Sequence, residues 1–169
     1  MRPDDAFWGA RLVARFSDDA IRAIVDQVQF DDPLASAHLT RVLIERRDDI
    51  ARVWLNGVNP VVSPRLADDG TLTFENAAVA AGAATPGQGY TVSWSRFDNG
   101  LRKADVVGDS LHVTEDGATA PPGLLAGAEF VMATIHGEHP DHPGWRQPVQ
   151  VYFRRGATGW DTVGVTRHP

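Results

Sequence analysis

The sequence predicts an α+β fold: an N-terminal three-helix segment packed on a C-terminal antiparallel β-sandwich or bent sheet of six to seven strands. Three observations predict it. Apolar residues recur at helical spacing from Trp8 to Trp54, with a capping residue before each run. Beyond Pro60 the pattern changes to short alternating runs such as TLTFE, YTVSWSRF, QPVQVYFRR and WDTVGVTR. Those runs are separated by reverse-turn pairs, among them Asp69-Gly70 and Asn99-Gly100. Helices first and strands second is the element order of an α+β domain.

The first helix follows Asp4 and Asp5, whose negative charge suits a helix N-terminus. Trp8, Leu12 and Phe16, with Val13 beside them, form its apolar face. Ser17 reads as a break and a fresh N-cap, and Asp18 and Asp19 occupy the first turn of a second helix. There Ile21, Ile24, Val25 and Val28 are expected to face inward. The third helix, Asp32–Leu55, organises the rest. Asp32 can accept from free N–H groups of the first turn, and Pro33 suits a position that needs no N–H. Leu39, Val42, Leu43, Ile50, Val53 and Trp54 share one stripe; Glu45, Arg47, Asp48, Asp49 and Arg52 fall off it. Arg46 lies close to the stripe and is expected to reach a sheet carboxylate such as Glu75. Gly57 is placed to end the helix, and Pro60 bars its continuation. This rod, roughly 35 Å long at about 1.5 Å per residue, is expected to be clamped along its stripe against the sheet.

The strands follow in order. TLTFE (71–75) leaves a turn at Asp68-Asp69-Gly70. The Ala-rich interval Asn76–Ala84 fits an extended edge or a short helical turn, and TPGQG (85–89) is a loop. YTVSWSRF (90–97) alternates, and Asp98-Asn99-Gly100 returns the chain antiparallel through LRKADVV. SLHVT (110–114) is a further strand, and EDGATAPPG (115–123) is a flexible connection. EFVMATIHG (129–137), QPVQVYFRR (147–155) and WDTVGVTR (160–167) make a closing meander around the polar loop EHPDHPGW (138–145). The whole of 1–169 reads as one domain, helical over residues 1–57 and β over residues 61–169. The alternative is a helical bundle tethered to an independent sandwich across the link Asn56–Ser63.

Composition narrows the function classes. At 169 residues, 43% hydrophobic and 22% charged, the chain fits one globular domain. A formal net charge of −6 argues against a nucleic-acid surface, which would need clustered cations. The absence of cysteine excludes disulfides, thiolate metal sites and cysteine nucleophiles. No apolar run approaches the length of a membrane span. The start MRPDDAFW has neither the basic stretch nor the apolar core of a signal peptide, so localisation stays open.

The segments DAFWGARLVARFSDDAIRAIV, LIERRDDIARVWL and NPVV, with FENAAV, WSRFDN and RRGATGWDTVGVTR, resemble C-terminal regions of larger uncharacterised bacterial proteins. The likeness spans nearly the whole chain. It implies a module cut from a longer polypeptide, with an exported parent as one reading, and it attaches no activity, cofactor or catalytic residue. The closing strand is also similar to the last strand of small cone-shaped α+β domains.

Two constellations carry candidate chemistry. His136, Glu138, His139 and His142 crowd imidazoles and a carboxylate into seven residues, the donor types a divalent metal takes. Against that reading, they lie on a loop stiffened by Pro140 and Pro143, which suits a solvated turn equally. Aromatic residues on a β-face can form a platform for a sugar ring or a peptide. Trp145, placed in the polar loop, is expected to be exposed and to serve as ligand-binding residue with Tyr152 and Arg154. Trp8, Trp54, Trp94 and Trp160 are expected in the core. No nucleophile elbow, phosphate loop or HExxH pattern is present, and no catalytic residue is assigned. The sequence therefore reads as a non-catalytic accessory or protein-interaction module. Its sheet face or loop 136–146 would contact a protein partner or another domain of a parent polypeptide. The alternative is a small-ligand binder holding a carbohydrate, a lipid or a metal between helices and sheet. An enzyme using His136, Glu138 and His139 ranks third.

Overall fold

In a computed structural model, which describes residues 3–114 and 116–167, helices at the N-terminus precede two antiparallel sheets. Helix α1 spans Pro3–Val13, α2 Asp18–Asp26 and α3 Pro33–Asn56. The predicted caps form. Ser17 Oγ accepts from Ala20 N at 3.1 Å, and Asp32 Oδ1 accepts from Leu34 N at 2.8 Å.

Among the described residues nine strands follow: β1 Val61–Leu66, β2 Thr71–Asn76, β3 Gly89–Asp98, β4 Lys103–Val106, β5 Leu111–Val113, β6 Gly117–Thr119, β7 Phe130–Glu138, β8 Val149–Arg155 and β9 Trp160–Arg167. A short helix α4, Ala77–Ala80, follows β2, and a 3₁₀ turn, Pro143–Arg146, precedes β8. The smaller sheet runs β1-β2-β6. The larger runs β4-β3-β7-β8-β9, and β5 pairs with the far end of the same β3 edge that β4 uses. The predicted meander of β7, β8 and β9 is present. The sheets do not close into a barrel.

Two strands lie where the sequence suggested connections. The first, β1, contains Pro64, which cannot donate to a ladder. It is tolerated because β1 edges its own sheet and the pairing breaks between Val62 and Arg65, where Ser63 takes φ 52°. The other, β6, is only three residues long and pairs Ala118 with Leu72. The Ala-rich interval resolves into the end of β2 and α4. Asn76 Oδ1 caps that helix, accepting from Ala78 N and Val79 N, both at 3.1 Å.

The main core lies between the sheets. Val61, Leu72 and Phe74 face Val92, Trp94, Val131, Ala133, Ile135, Val149, Val151 and Phe153, each at the two-residue period of a strand. A second core joins the helices to one end of this sandwich. Phe7 and Ala10 of α1, Ala51 and Leu55 of α3, Val58 and Val62, Ala77 and Ala78 of α4, and Trp145 pack together. Buried amides fasten the joint. Asn59 Nδ2 donates to Ile135 O at 3.0 Å and to Gln147 O at 2.8 Å, and Val61 N donates to Asn59 Oδ1. Arg167 stacks on Phe7 at 4.6 Å and donates to Asn59 O and Val61 O. Burial pushes its pKa down to about 10.

This arrangement corrects the expected placement of the long helix. Only Ala51, Leu55 and Asn56 of α3 are buried, and its first four turns pack on α2 and α1 instead of the sheet. The anticipated inward stripe divides: Leu39, Val42 and Leu43 are half-buried, while Ile50 is 38% exposed, Trp54 39% and Val53 59%. The physical reason is that the sheets fill each other's inner faces and leave only one end for a helix. Ala51 and Leu55, one turn apart, fit that end, and the small Ala51 admits α1 closely. On α1, too, the buried residues are Ala6, Phe7 and Ala10 while Trp8, Leu12 and Phe16 are exposed. On α2, Ile21 and Val25 face inward as expected, but Ile24 and Val28 do not. Trp8 and Trp54 are therefore not core residues, whereas Trp94 and Trp160 are.

Two substitutions on α3 check which face is inside. Leu55→Ala should lower unfolding stability by about 2–5 kcal/mol in urea titration. Val53→Ala should change it by less than about 0.5 kcal/mol. Equal costs would contradict the placement of the helix.

Candidate functional site

The four histidine-loop residues separate into two pairs. His136 and Glu138, two apart on β7, share its outer face. His136 Nδ1 lies 2.8 Å from Arg146 O. Glu138 Oε1 accepts from Thr91 Oγ1 at 3.0 Å and sits 3.7 Å from His112 Nδ1. His139 lies past the end of β7, turns inward and is buried, and its Nδ1 accepts from Asp141 N at 3.1 Å. His142 packs beside it with ring centroids 4.3 Å apart, and both rings lie against Trp145, at 4.8 and 5.6 Å. His136, Glu138, His139 and His142 are thus not brought together as a ligand set. Among the described residues no three His, Asp or Glu side chains are grouped to hold a metal ion. Thr91, Glu138 and His112 place the carboxylate between hydroxyl and imidazole. A nucleophilic relay needs the imidazole in contact with the hydroxyl.

The three expected ligand-binding residues also separate. Trp145 is buried, 1% exposed, because the 3₁₀ turn rolls its ring under the end of α3. Its Nε1 donates to Asn56 Oδ1 at 3.1 Å, and Asn56 Nδ2 donates to Arg52 O and Ala83 O. Tyr152 and Arg154 lie on the outer face of the larger sheet, in register with Met132 and Phe130. There Tyr152 meets Phe97 edge-on at 4.9 Å, and Arg154 lies over Phe130 at 5.9 Å. That makes a patch on the sheet surface, to which Trp145 does not contribute.

A different feature stands out on the helices. The end of α1, α2 and α3 enclose a groove of about 330 Å³ whose walls are Val13, Phe16, Ile21, Ile24, Leu43 and Ile50. The corner is built by Arg47. Its guanidinium donates to Phe16 O at 2.7 Å, pairs with Asp18 at 2.7 Å and holds Asp48 at 2.7 Å. Burial pulls the Arg47 pKa down, but the bonds from Asp48 and Asp18 outweigh it and hold it above the usual arginine value. Arg46 stands on the rim. It does not reach Glu75, and it makes no hydrogen bond or ion pair among the described residues. The exposed Ile24, Phe16 and Ile50 line this groove, and Val53 and Trp54 lie one turn beyond Ile50 on α3. Among the described residues no helix is long and apolar enough to cross a membrane.

The groove was missed because an apolar stripe on a helix is ordinarily taken to face the core. A signal was present in the sequence. Ala51 and Leu55 lie about 100° around the helix from the Ile50 row, so α3 carries two apolar faces, one more than its seat needs. No protein-family model matches the chain, and no curated protein or solved structure does so either.

The histidine pair gives a pH dependence. Burial lowers the His142 pKa, the neighbouring His139 lowers it further, and Asp141 partly offsets both. The folded state therefore binds a proton on His142 less readily than the unfolded chain does. Stability should be highest above pH about 6.5 and should fall as pH drops through that value, where the unfolded histidine protonates first. Urea titrations at pH 7.5 and 5.5 should show the fall, and His142→Asn should make it shallower; an unchanged pH slope in that variant would refute the assignment.

Proposed function

We propose that the chain is a non-catalytic protein-interaction module, and that the groove of α1, α2 and α3 receives an apolar segment of a partner polypeptide. The observation that carries this reading is the outward-facing stripe. Phe16, Ile24, Ile50, Val53 and Trp54 remain 38–59% exposed although the helices are otherwise well capped and ion-paired. Contiguous exposed apolar surface rimmed by charge is the usual mark of a protein contact site. Arg46, free on the rim, suits a carboxylate beside the apolar residues of the partner. The partner would be either a neighbouring domain or a separate chain.

The loop 138–145 supports the alternative less. Its Trp145, the residue best suited to grip a ligand there, is spent on the helix joint. The outer face of the large sheet, with Tyr152, Arg154 and Phe97, remains the second surface for a partner or a saccharide.

The test uses Ile24→Asp combined with Ile50→Asp, two exposed positions where a charge should leave the fold intact by circular dichroism. Affinity capture from cells that produce the chain should retain a partner on the wild type. Once purified, that partner should bind the double variant at least tenfold more weakly, since each buried aliphatic side chain contributes about 1.5–3 kcal/mol. Equal binding by both forms, or no partner on the wild type, would refute the reading.

A further inference from the structure

A second concavity lies on the other side of α1, away from the groove. It is bounded by α1, the end of β2 and α4, and encloses about 460 Å³, within the range of small-ligand sites. Leu55, Val62 and Ala77 of the second core lie buried beneath it, and its accessible apolar walls are Trp8 and Leu12 of α1 with Ala80 and Ala81. It stays open because the wall contributed by α4 consists of alanines, Ala80 and Ala81 among them.

The charge at this cleft is what points to a ligand. Arg11 is half-buried in its wall, with the guanidinium 4.6 Å from the Trp8 ring. Among the described residues it has no hydrogen-bond acceptor and no ion pair. Glu75 attracts it across the cleft without forming a contact pair, and burial still lowers its pKa. Half-buried guanidinium groups ordinarily find acceptors, because stripping water from a charge is costly. Arg15, exposed in the turn just after α1, lines the same space, again without a partner among the described residues. Nearby Arg167 is already engaged, by Asp4 at 3.8 Å and by backbone carbonyls. In a chain of net charge −6 this corner therefore offers two unpaired cations against one carboxylate.

We infer that the cleft between α1 and α4 is a binding site for a small amphipathic carboxylate. The carboxylate meets Arg11 and Arg15, and an apolar or aromatic body lies between Trp8 and Leu12 on one side and Ala80 and Ala81 on the other. An arginine fork suits a carboxylate through paired N–H donors, and the walls supply the apolar contact that a free acetate ion would not use. The site is separate from the groove at the other side of α1 and does not depend on a protein partner.

The probe is 3-phenylpropionate, titrated into the whole chain and followed by NMR shifts and by tryptophan fluorescence. Saturable binding in the millimolar range or tighter is expected, with shifts at residues 8–15 and 75–81. The neutral 3-phenylpropanamide should bind about tenfold more weakly or worse, and Arg11→Gln should cause a similar loss. Arg96→Gln, on the far end of the sandwich, should change nothing. Ala80→Phe, which fills the cleft from an exposed position, should abolish binding with the circular dichroism spectrum unchanged. Glu75→Gln should tighten binding by removing the opposing carboxylate. Equal affinity for acid and amide, retention of binding in Arg11→Gln or Ala80→Phe, weaker binding in Glu75→Gln, or no saturable binding by the wild type would each overturn the proposal.

Discussion

One buried hydrogen bond ties the two halves of this chain together. The indole N–H of Trp145 donates to the side chain of Asn56, 89 residues earlier in sequence. Around it sit the helix residues that share a core with the strands. An indole can play this role because it combines the largest apolar surface available with a single donor that ordinarily finds a partner when buried. Asn56 satisfies it and, through its amide, also binds Arg52 O and Ala83 O. The last turn of α3, the segment after α4 and the 3₁₀ turn are thereby fixed at one point. Gly144 belongs to the same joint. A Cβ there would lie 2.7 Å from Gly57 O, so the backbones meet at a distance only glycine permits.

Much of the architecture could be read from residues whose local chemistry has one outcome. Ser17 and Asp32 cap helices because their oxygens reach the free N–H groups next door, and Asp98-Asn99-Gly100 opens the turn that pairs Asp98 with Lys103. The alternation of Val149, Val151 and Phe153 places a strand between water and core with no knowledge of its neighbours. What could not be read depended on long-range fit. Pro64 argues against a strand until β1 is known to be an edge. Val53 and Trp54 argue for a buried face until it is known that the sandwich has already filled itself. Trp145 argues for an exposed aromatic in a polar loop until the end of α3 is found above it.

The same division holds for the candidate sites. His136 and Glu138 alternate with Gly137 on a strand, and strand geometry keeps them together and apart from His139 and His142. Proximity in sequence therefore brought no convergence of donors. The surfaces that do stand out, the groove at Ile24 and Ile50 and the cleft at Arg11, are each assembled from several elements. Their lining residues are spread along the chain, and no short motif announces them. The Ala-rich interval 76–84, plain as a sequence, matters because its short side chains leave room beside α1.

Helix α3 is 24 residues long and is held against the strands only by its final turns. Mechanically it is a cantilever. At about 1.5 Å per residue, a tilt of about 5° at Asn56 swings Pro33 through roughly 3 Å and carries α2 along. Because α1 packs along it and is itself seated in the joint through Phe7 and Ala10, such a tilt would carry the three helices together about the point where the Asn56 amide meets the Trp145 indole.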